Sequence, residues 1–231
     1  MTAMQRWPGR YTDRHGSEEI VFESDGRESI RTTIRGVVFE GDMMDDLGAL
    51  SGTPPEQMFS FLDGALCSCL LEWEVPMPVE VEGQGVRAGV LHCSLRLGDP
   101  VGPGLDEQSL ITTLRLDGHE YRNADSQDDF EEALHDIQRR LPRGARIKAC
   151  VACAWSDYSP GGPPLMAGLA CFRDAKDRYR RCDGKQGPHG IFAIWQERTE
   201  FVQETWLCEE FEHRTSDRGY RGPFPYRGPL R

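Results

Sequence analysis

Four cysteines in the C-terminal half of the sequence have the residue type and the number that a structural metal ion needs. They are Cys150, Cys153, Cys171 and Cys208. Four thiolates around Zn(II) satisfy its tetrahedral preference and would cross-link the segments that carry them. Val, Ala, Leu and Phe flank these cysteines, and free cysteine is one of the most frequently buried residue types. Two hypotheses therefore stay open: a zinc site, or four thiols packed in the core.

A second set of residues could form either a ligand-binding site or a buried network of ion pairs. The set comprises Asp157, Tyr158, Arg173, Asp174, Gln203, Glu204, Tyr220 and Arg221. If they converge, they offer carboxylates, phenols, guanidinium groups and an amide, which suits a zwitterion or a carboxylate. An enzymatic hypothesis uses Asp157, Arg173 and Glu204 on a small polar metabolite. The alternative is that the arginines only neutralise buried carboxylates.

The segment Gln203 to Cys208 alternates as a strand does, so Glu204 and Cys208 are predicted to face inward together. An inward-facing carboxyl group must be paired or protonated, which makes Glu204 a sensitive position. No GxSxG, HExxH, P-loop or GxGxxG motif accompanies these residues, and the six histidines are scattered. The sequence therefore carries no established catalytic signature.

The polar motifs follow one another in a fixed order: a CxxC pair at Cys150, SDYSP at 156–160, CFRD at 171–174, VQETWLCEEFE at 202–212 and GYRG at 219–222. In this order they resemble an uncharacterised bacterial domain family, common in actinobacteria, that has no assigned activity. The resemblance covers roughly residues 130–222 well and the N-terminal half weakly. It implies that these positions form one site or one interlocked core.

Composition limits the class of protein. A chain of 231 residues forms one substantial core more readily than two. The 27 basic and 38 acidic residues give a formal net charge of -11, which opposes nucleic acids and anionic membranes and suits a basic protein partner or a small polar ligand. No apolar segment reads as a signal peptide or a membrane span. We therefore predict a cytoplasmic protein, whose reducing surroundings keep cysteines as thiols.

The N-terminal half reads as mostly antiparallel β-structure. Strands are predicted at 19–24, 29–39, 66–75, 86–97 and 110–116, from β-branched and aromatic residues bounded by turn residues. Asp25-Gly26 and Asp117-Gly118 favour tight hairpin turns. Pro76 and Pro78 lack a backbone donor, so the segment that holds them is predicted to be a sheet edge or a connection.

The C-terminal half contains the clearest helix, predicted over about 126–141 with an apolar stripe of Phe130, Leu134, Ile137 and Leu141. Strands are expected at 146–155, 168–173 and 201–208, and a second short helix at about 192–201. The predicted fold is a single α+β domain over 1–212, with a β-rich half at about 18–118 and a motif-bearing half at about 119–212.

An Arg/Pro/Gly-rich tail over 213–231 repeats Tyr-Arg-Gly-Pro twice. Five arginines against one aspartate give it a formal charge of 5 - 1 = +4. Its first repeat could dock on the acidic body.

These features favour a small cytosolic binding or accessory protein with a structural metal site. One alternative is the enzyme that uses Asp157, Arg173 and Glu204. The other is an acidic immunity or inhibitor protein that covers a basic partner, which the net charge alone supports.

Overall fold

A computed structural model describes residues 4–52, 57–127, 129–159, 165–217 and 219–225. Its strands are β1 (Gln5–Asp13), β2 (Gly16–Ser24), β3 (Ile30–Ile34), β4 (Val37–Gly41), β5 (Gly48–Ala49), β6 (Ser60–Leu62), β7 (Ala65–Cys67), β8 (Cys69–Val81), β9 (Gly85–Leu97), β10 (Pro100–Val101), β11 (Gly104–Leu105), β12 (Gln108–Leu116), β13 (His119–Arg122), β14 (Ala145–Ile147), β15 (Ser156–Tyr158), β16 (Leu169–Cys171) and β17 (Glu200–Val202). Its helices are α1 (Phe130–Arg140), α2 (Lys176–Tyr179) and the 3-10 helices Cys150–Ala152, Arg173–Ala175 and Ile191–Glu197.

One large antiparallel sheet dominates the structure. Its strands are ordered β13-β12-β9-β8-β1-β2-β3-β4-β5-β7-β6, and β14 pairs with the far end of β8. The longest ladder joins β8 to β9, from Cys69 opposite Leu97 to Val81 opposite Gly85. Alternate residues of these strands, such as Leu71 and Trp73, are buried, while their neighbours stay accessible. The strand period therefore gives the sheet one core face and one exposed face.

Two-residue turns set the register of two of the hairpins, β12 to β13 and β3 to β4. The Asp117-Gly118 turn joins β12 to β13 as predicted, and both residues have positive φ, 49° and 81°. The predicted strand at 29–39 is wrong as one element, because Arg35 and Gly36 also have positive φ, 50° and 78°, and turn the chain between β3 and β4. In both pairs the two residues have the positive φ that a type I′ hairpin turn requires.

Pro76 and Pro78 lie inside β8, so the predicted sheet edge or connection is wrong. On the side of β8 away from β9, β1 pairs only with Leu70 to Trp73, and β14 only with Val79 to Val81. The Lys148 amide donates to the Pro78 carbonyl on that side, at 2.8 Å. Both proline nitrogens therefore point into the interval between β1 and β14, where the ladder loses no donor.

The N-terminal segment forms a strand that the sequence pattern did not reveal. Strand β1 pairs with β2 along its whole length and also with β8. Its Trp7 and Tyr11 are buried in the main core, although polar residues surround them in the sequence. A largely polar segment thus lies between β2 and β8 and contributes two aromatic residues to the core.

Helix α1 begins at Phe130 rather than near Ser126. The Asp129 side chain caps it by accepting from the Glu132 amide at 3.1 Å. Residues before the cap are held by the sheet instead, since Gln127 and Leu110 exchange backbone hydrogen bonds. The predicted apolar stripe is buried in the main core, so the helix covers that face of the sheet.

The C-terminal region has less regular structure than predicted. The strand predicted at 146–155 ends at Ile147 and gives way to the 3-10 helix Cys150–Ala152. The strand predicted at 201–208 is only Glu200–Val202, so the alternation inferred for Gln203 to Cys208 does not apply. The second short helix is the 3-10 helix Ile191–Glu197, which ends before β17. Strand β16 confirms the strand predicted at 168–173 and pairs with β15 and β17 in a separate three-stranded sheet.

The prediction of a mostly antiparallel sheet is confirmed, but helices contribute less than an α+β domain implies. The structure is mostly β. None of the helices among the described residues is long and apolar enough to cross a membrane.

Candidate functional site

Asp157, in the middle of β15, is the centre of a buried polar cluster. Its carboxylate is fully buried. The hydroxyl groups of Tyr179 and Tyr220 donate to Oδ2 at 3.1 and 2.5 Å, and the Tyr158 amide donates to Oδ1 at 2.9 Å. Lys185 Nζ lies 3.3 Å from Oδ1. The protein itself supplies both carboxylate oxygens with donors.

Glu131, on the first turn of α1, is the second acidic centre. Arg221 and Arg214 both donate to its Oε1, and His135 Nε2 lies 3.5 Å away. Burial alone would raise the pKa of Glu131, but Arg221, His135 and Arg214 together hold that pKa well below its usual range. Glu131 is therefore a buried carboxylate that stays ionised beside the guanidinium groups of Arg221 and Arg214.

Arg221 joins the two acidic centres. Its Nε lies 3.7 Å from Asp157 Oδ1, its Nη1 donates to the Ser156 carbonyl at 2.8 Å, and its guanidinium lies over the Tyr158 ring at 5.3 Å. The planar fork of arginine can meet several acceptors at once, which a lysine cannot do.

Glu204 is fully buried beside Tyr158. The Tyr158 hydroxyl donates to its Oε1 at 2.9 Å, whereas Oε2 has no hydrogen-bond partner among the described residues. Burial raises the pKa of Glu204 well above its usual value, and the charges of Glu131 and Asp129 raise that pKa further. Gln203 lies beside it and accepts from the Ser24 hydroxyl at 2.9 Å.

Arg173 and Asp174 lie outside this cluster. Arg173 pairs with Glu200, and its Nη1 lies 3.7 Å from the Cys171 sulfur. Asp174 is exposed, and its amide donates to the Thr199 hydroxyl at 3.3 Å. Asp157 and Glu204 are linked through Tyr158, whereas Arg173 belongs to a different set of contacts. The hypothesis of an enzyme that uses these three side chains stays a prediction.

The first Tyr-Arg-Gly-Pro repeat docks on the acidic body. Tyr220 and Arg221 bind Asp157 and Glu131, and the Phe224 ring packs against His135 at 4.5 Å between ring centroids. The second repeat, at 226–229, lies outside the described residues. The prediction of a tail over 213–231 therefore needs revision for its first part, which is packed on the body.

The four predicted metal ligands lie in one region. The Cys153 amide donates to the Cys150 carbonyl at 3.0 Å and closes the 3-10 turn. The Ser156 hydroxyl lies 2.7 and 3.1 Å from the Cys150 and Cys153 carbonyls, and the Ser156 backbone pairs with Cys171. The Cys150 amide donates at 2.7 Å to the carbonyl of Trp206, two residues before Cys208.

The thiols of this region influence one another. Burial raises the pKa of Cys150, Cys153 and Cys171, to about 11 for Cys153, and Cys208 raises each of these pKa values further. Backbone amides lower these pKa values. The amides of Glu212 and Trp155 donate to the Cys153 thiol, and the Arg173 amide donates to the Cys171 thiol. Among the described residues, no group of three or more His, Cys, Asp or Glu side chains has an arrangement that could hold a metal ion. Metal binding by the four cysteines stays a prediction.

The exposed face of the large sheet carries two depressions that follow one another along β1, β8 and β9, and we call them together the acidic groove. The first, of about 310 Å³, is lined by Pro8, Gly9, Arg10, Glu19, Glu72, Trp73, Glu74 and His92. The second, of about 400 Å³, is lined by Thr12, Asp13, Arg14, Ser68, Cys69, Leu70, Arg96, Leu97, Gly98, Asp99, Asp106 and Glu107.

Sequence reasoning missed Glu131, Tyr179, Lys185 and Arg214 as members of the buried cluster. Glu131 had an adequate local explanation, because an acidic residue in the first turn of a helix favours the helix dipole. The one usable signal was the opposite charge of the tail and the body. This charge difference predicted that the tail docks on the body, but it did not predict which carboxylates the arginines contact.

The fold and the site together define a protein built on a large antiparallel sheet, with a C-terminal region held by a buried ionic cluster. A family model described as Family of unknown function (DUF6304) matches residues 5–156, which is more than half of the chain. The chain belongs to this family, so the expectation of an uncharacterised domain family is confirmed. The match covers the sheet, helix α1 and the CxxC pair, whereas CFRD, VQETWLCEEFE and GYRG lie beyond it. Comparisons with curated proteins and with solved structures find no match.

Proposed function

We propose that this chain is a cytoplasmic binding or accessory protein that receives a basic segment of a protein partner in the acidic groove. The observation that carries the proposal is the charge of that groove. Its carboxylates are Glu19, Glu72, Glu74, Asp13, Asp99, Asp106 and Glu107, and its guanidinium groups are those of Arg10, Arg14 and Arg96. The formal charge of the lining is 3 - 7 = -4, with His92 neutral. Arg35 and Arg115 lie outside the lining but pair with Asp13 and Glu74, which leaves 5 - 7 = -2.

The position of the groove suits an extended segment. It runs along neighbouring strands, and its two depressions are large enough to accept side chains in succession. Four of its acidic residues are exposed, namely Glu19, Asp99, Asp106 and Glu107. Glu72 and Glu74 are partly accessible, at 25% and 37% of the side-chain surface. A Lys- or Arg-rich segment would bring complementary charge, which raises the rate of encounter and excludes acidic competitors.

The buried cluster around Asp157 suits a structural role better than a ligand site. Donors from Tyr179, Tyr220 and Tyr158 already occupy the carboxylate, and Arg221 and Lys185 lie against it. A ligand would have to displace several of these groups. Support for a cytoplasmic location comes from the eight cysteines, all of which are free thiols.

The test is binding of a Lys/Arg-rich octapeptide, followed by fluorescence anisotropy at low and high ionic strength. We expect binding that weakens as salt rises. The double variant Glu72→Gln/Glu74→Gln should bind about two- to thirtyfold more weakly, because each accessible ion pair contributes about 0.2–1 kcal/mol.

Glu120→Gln, on the exposed strand β13 and outside the groove, is the matched control and should bind like the unmodified protein. A Glu/Asp-rich octapeptide should not bind. Affinity that is unchanged in the double variant, or that does not respond to salt, would refute the proposal.

A further inference from the structure

The C-terminal region needs a source of stability that its secondary structure does not supply. Its small sheet consists of β15, β16 and β17, which have three residues each. Beyond β17, the chain from 203 to 217 forms no named helix or strand in the described structure. Where regular hydrogen bonding is sparse, a metal ion is a common means of holding segments together.

We infer that Cys150, Cys153, Cys171 and Cys208 bind one Zn(II) ion that joins the 3-10 turn, strand β16 and the segment after β17. The inference goes beyond the proposed binding function and does not depend on it.

The local backbone removes the main geometric objection to this site. On a regular strand, residues three apart point to opposite faces of the sheet, so Cys150 and Cys153 could not share an ion. The chain instead forms a 3-10 turn here, with about three residues per turn, and that conformation brings side chains i and i+3 to the same side. A CxxC pair on such a turn can supply two ligands from one short segment.

The other two cysteines approach this turn from different parts of the chain. Strand pairing places Cys171 opposite Ser156, whose hydroxyl contacts the carbonyls of Cys150 and Cys153. The Trp206 carbonyl holds the Cys150 amide, and this fixes the segment that ends in Cys208. Cys150 and Cys171 belong to one small buried cluster, and Trp206 packs against it.

The groups around the sulfur atoms supply the positive charge and the hydrogen-bond donors that bound thiolates need. Four thiolates and one Zn(II) carry a formal charge of 2 - 4 = -2. The Arg173 guanidinium lies 3.7 Å from the Cys171 sulfur, and the Arg173 amide donates to the same sulfur. The amides of Glu212 and Trp155 donate to the Cys153 sulfur. Donors of this kind orient metal ligands and stabilise their charge.

Binding requires the sulfurs to close around the ion, because their present arrangement does not form a ligand set. Rotation about one Cα–Cβ bond moves a cysteine sulfur by roughly 3 Å between rotamers, with no change in the backbone. Each thiol gives its proton to solvent as it binds, so uptake of zinc releases protons.

A contrast within the same chain separates this site from ordinary buried thiols. Cys93 is also fully buried, on the core face of β9, and burial is the one cause that raises its pKa. Its cross-strand neighbours are Trp73 and Thr112, so no cysteine lies opposite it in the sheet. Cys93 therefore provides the control for loss of a buried thiol without loss of a ligand.

The experiment measures metal in full-length protein that is purified without a tag, chelator or added metal. We expect about one zinc per chain by elemental mass spectrometry. Cobalt(II) added to the metal-free protein should give the visible absorption of a tetrahedral site together with the strong near-ultraviolet bands of sulfur-to-cobalt charge transfer. Zinc should displace both signals.

Cys153→Ser and Cys208→Ser should each lose at least half of the zinc and the four-thiolate cobalt spectrum, whereas Cys93→Ser should keep both. If a ligand variant does not fold, thiol titration of the unmodified protein replaces it: four thiols should become reactive when a chelator removes the metal. Protein that neither contains zinc nor takes up cobalt would overturn the inference, as would equal metal loss in Cys93→Ser. The proposed binding of a basic peptide can fail or succeed independently, because the groove shares none of these cysteines.

Discussion

The buried carboxyl group of Glu204 should make the protein less stable as pH rises, and Glu204→Gln should remove that dependence. An unfolded glutamate has a pKa of about 4.3. In the folded protein, burial raises the pKa of Glu204 well above that value. Above about pH 4.3 the unfolded chain therefore loses a proton that the folded chain keeps, and the free energy of unfolding falls.

The magnitude follows from the size of this difference. Each pH unit between the unfolded and folded pKa values lowers the free energy of unfolding by about 1.4 kcal/mol for one group. The loss begins above about pH 4.3 and continues until the pH reaches the folded pKa of Glu204. Glutamine has nearly the same shape and an oxygen that accepts from the Tyr158 hydroxyl, but it carries no titrating proton. Its variant should be the more stable protein at neutral pH.

Urea unfolding of the unmodified protein and of Glu204→Gln at about pH 5, 6 and 7 tests this reasoning. The difference in free energy of unfolding between the two proteins should grow with pH. Glu120→Gln, at an exposed site, should give a constant difference near zero. Parallel stability curves for the unmodified protein and Glu204→Gln would refute the argument, because they would show that Glu204 titrates alike in the folded and unfolded chains.

Two further substitutions test how the C-terminal region is held. Arg221→Ala should lower the free energy of unfolding by about 3–5 kcal/mol, because it removes a buried partner of Glu131, and Arg221→Lys should restore only part of the loss in urea unfolding. Full restoration by lysine would contradict the role given to the guanidinium fork. Gly26→Ala should cost about 1–3 kcal/mol more than Gly36→Ala and alter tryptophan emission. Both glycines have positive φ, but a methyl group at Gly26 would lie 2.1 Å from the Trp206 ring, while Gly36 faces open space. Equal losses would show that the Trp206 contact is unimportant.

Local patterns were sufficient to predict a mostly antiparallel β-structure, and their failures at particular strands have specific physical causes. The Asp117-Gly118 turn and the apolar stripe of α1 depend on neighbouring residues alone, and both were predicted. Strand β1 was missed because its stability comes from the partners β2 and β8 rather than from its own polar sequence. The prolines of β8 were misplaced because their tolerance depends on where two other strands end.

The candidate site could be predicted only as a list of residues. The contact of Tyr220 with Asp157 spans 63 positions, and that of Arg221 with Glu131 spans 90. No local period reports contacts at such separations. The motifs brought Asp157, Tyr158, Glu204, Tyr220 and Arg221 to notice, but their residue types could not separate them from Arg173 and Asp174, which belong to other contacts.

The distribution of charge has two different explanations in this molecule. The basic tail is not free to find a partner at its first repeat, because Arg221 and Arg214 already neutralise Glu131 inside the fold. Part of the opposite charge of the tail and the body therefore stabilises the fold. The acidic groove, on the exposed face of the sheet, has seven carboxylates. Three arginines of its lining and the adjacent Arg35 and Arg115 leave a formal charge of 5 - 7 = -2. Charge that the fold leaves uncompensated on an accessible surface repels itself, and an external cationic group would relieve that repulsion. This difference, rather than the net charge of the whole chain, is the reason to look for a basic partner at β1, β8 and β9.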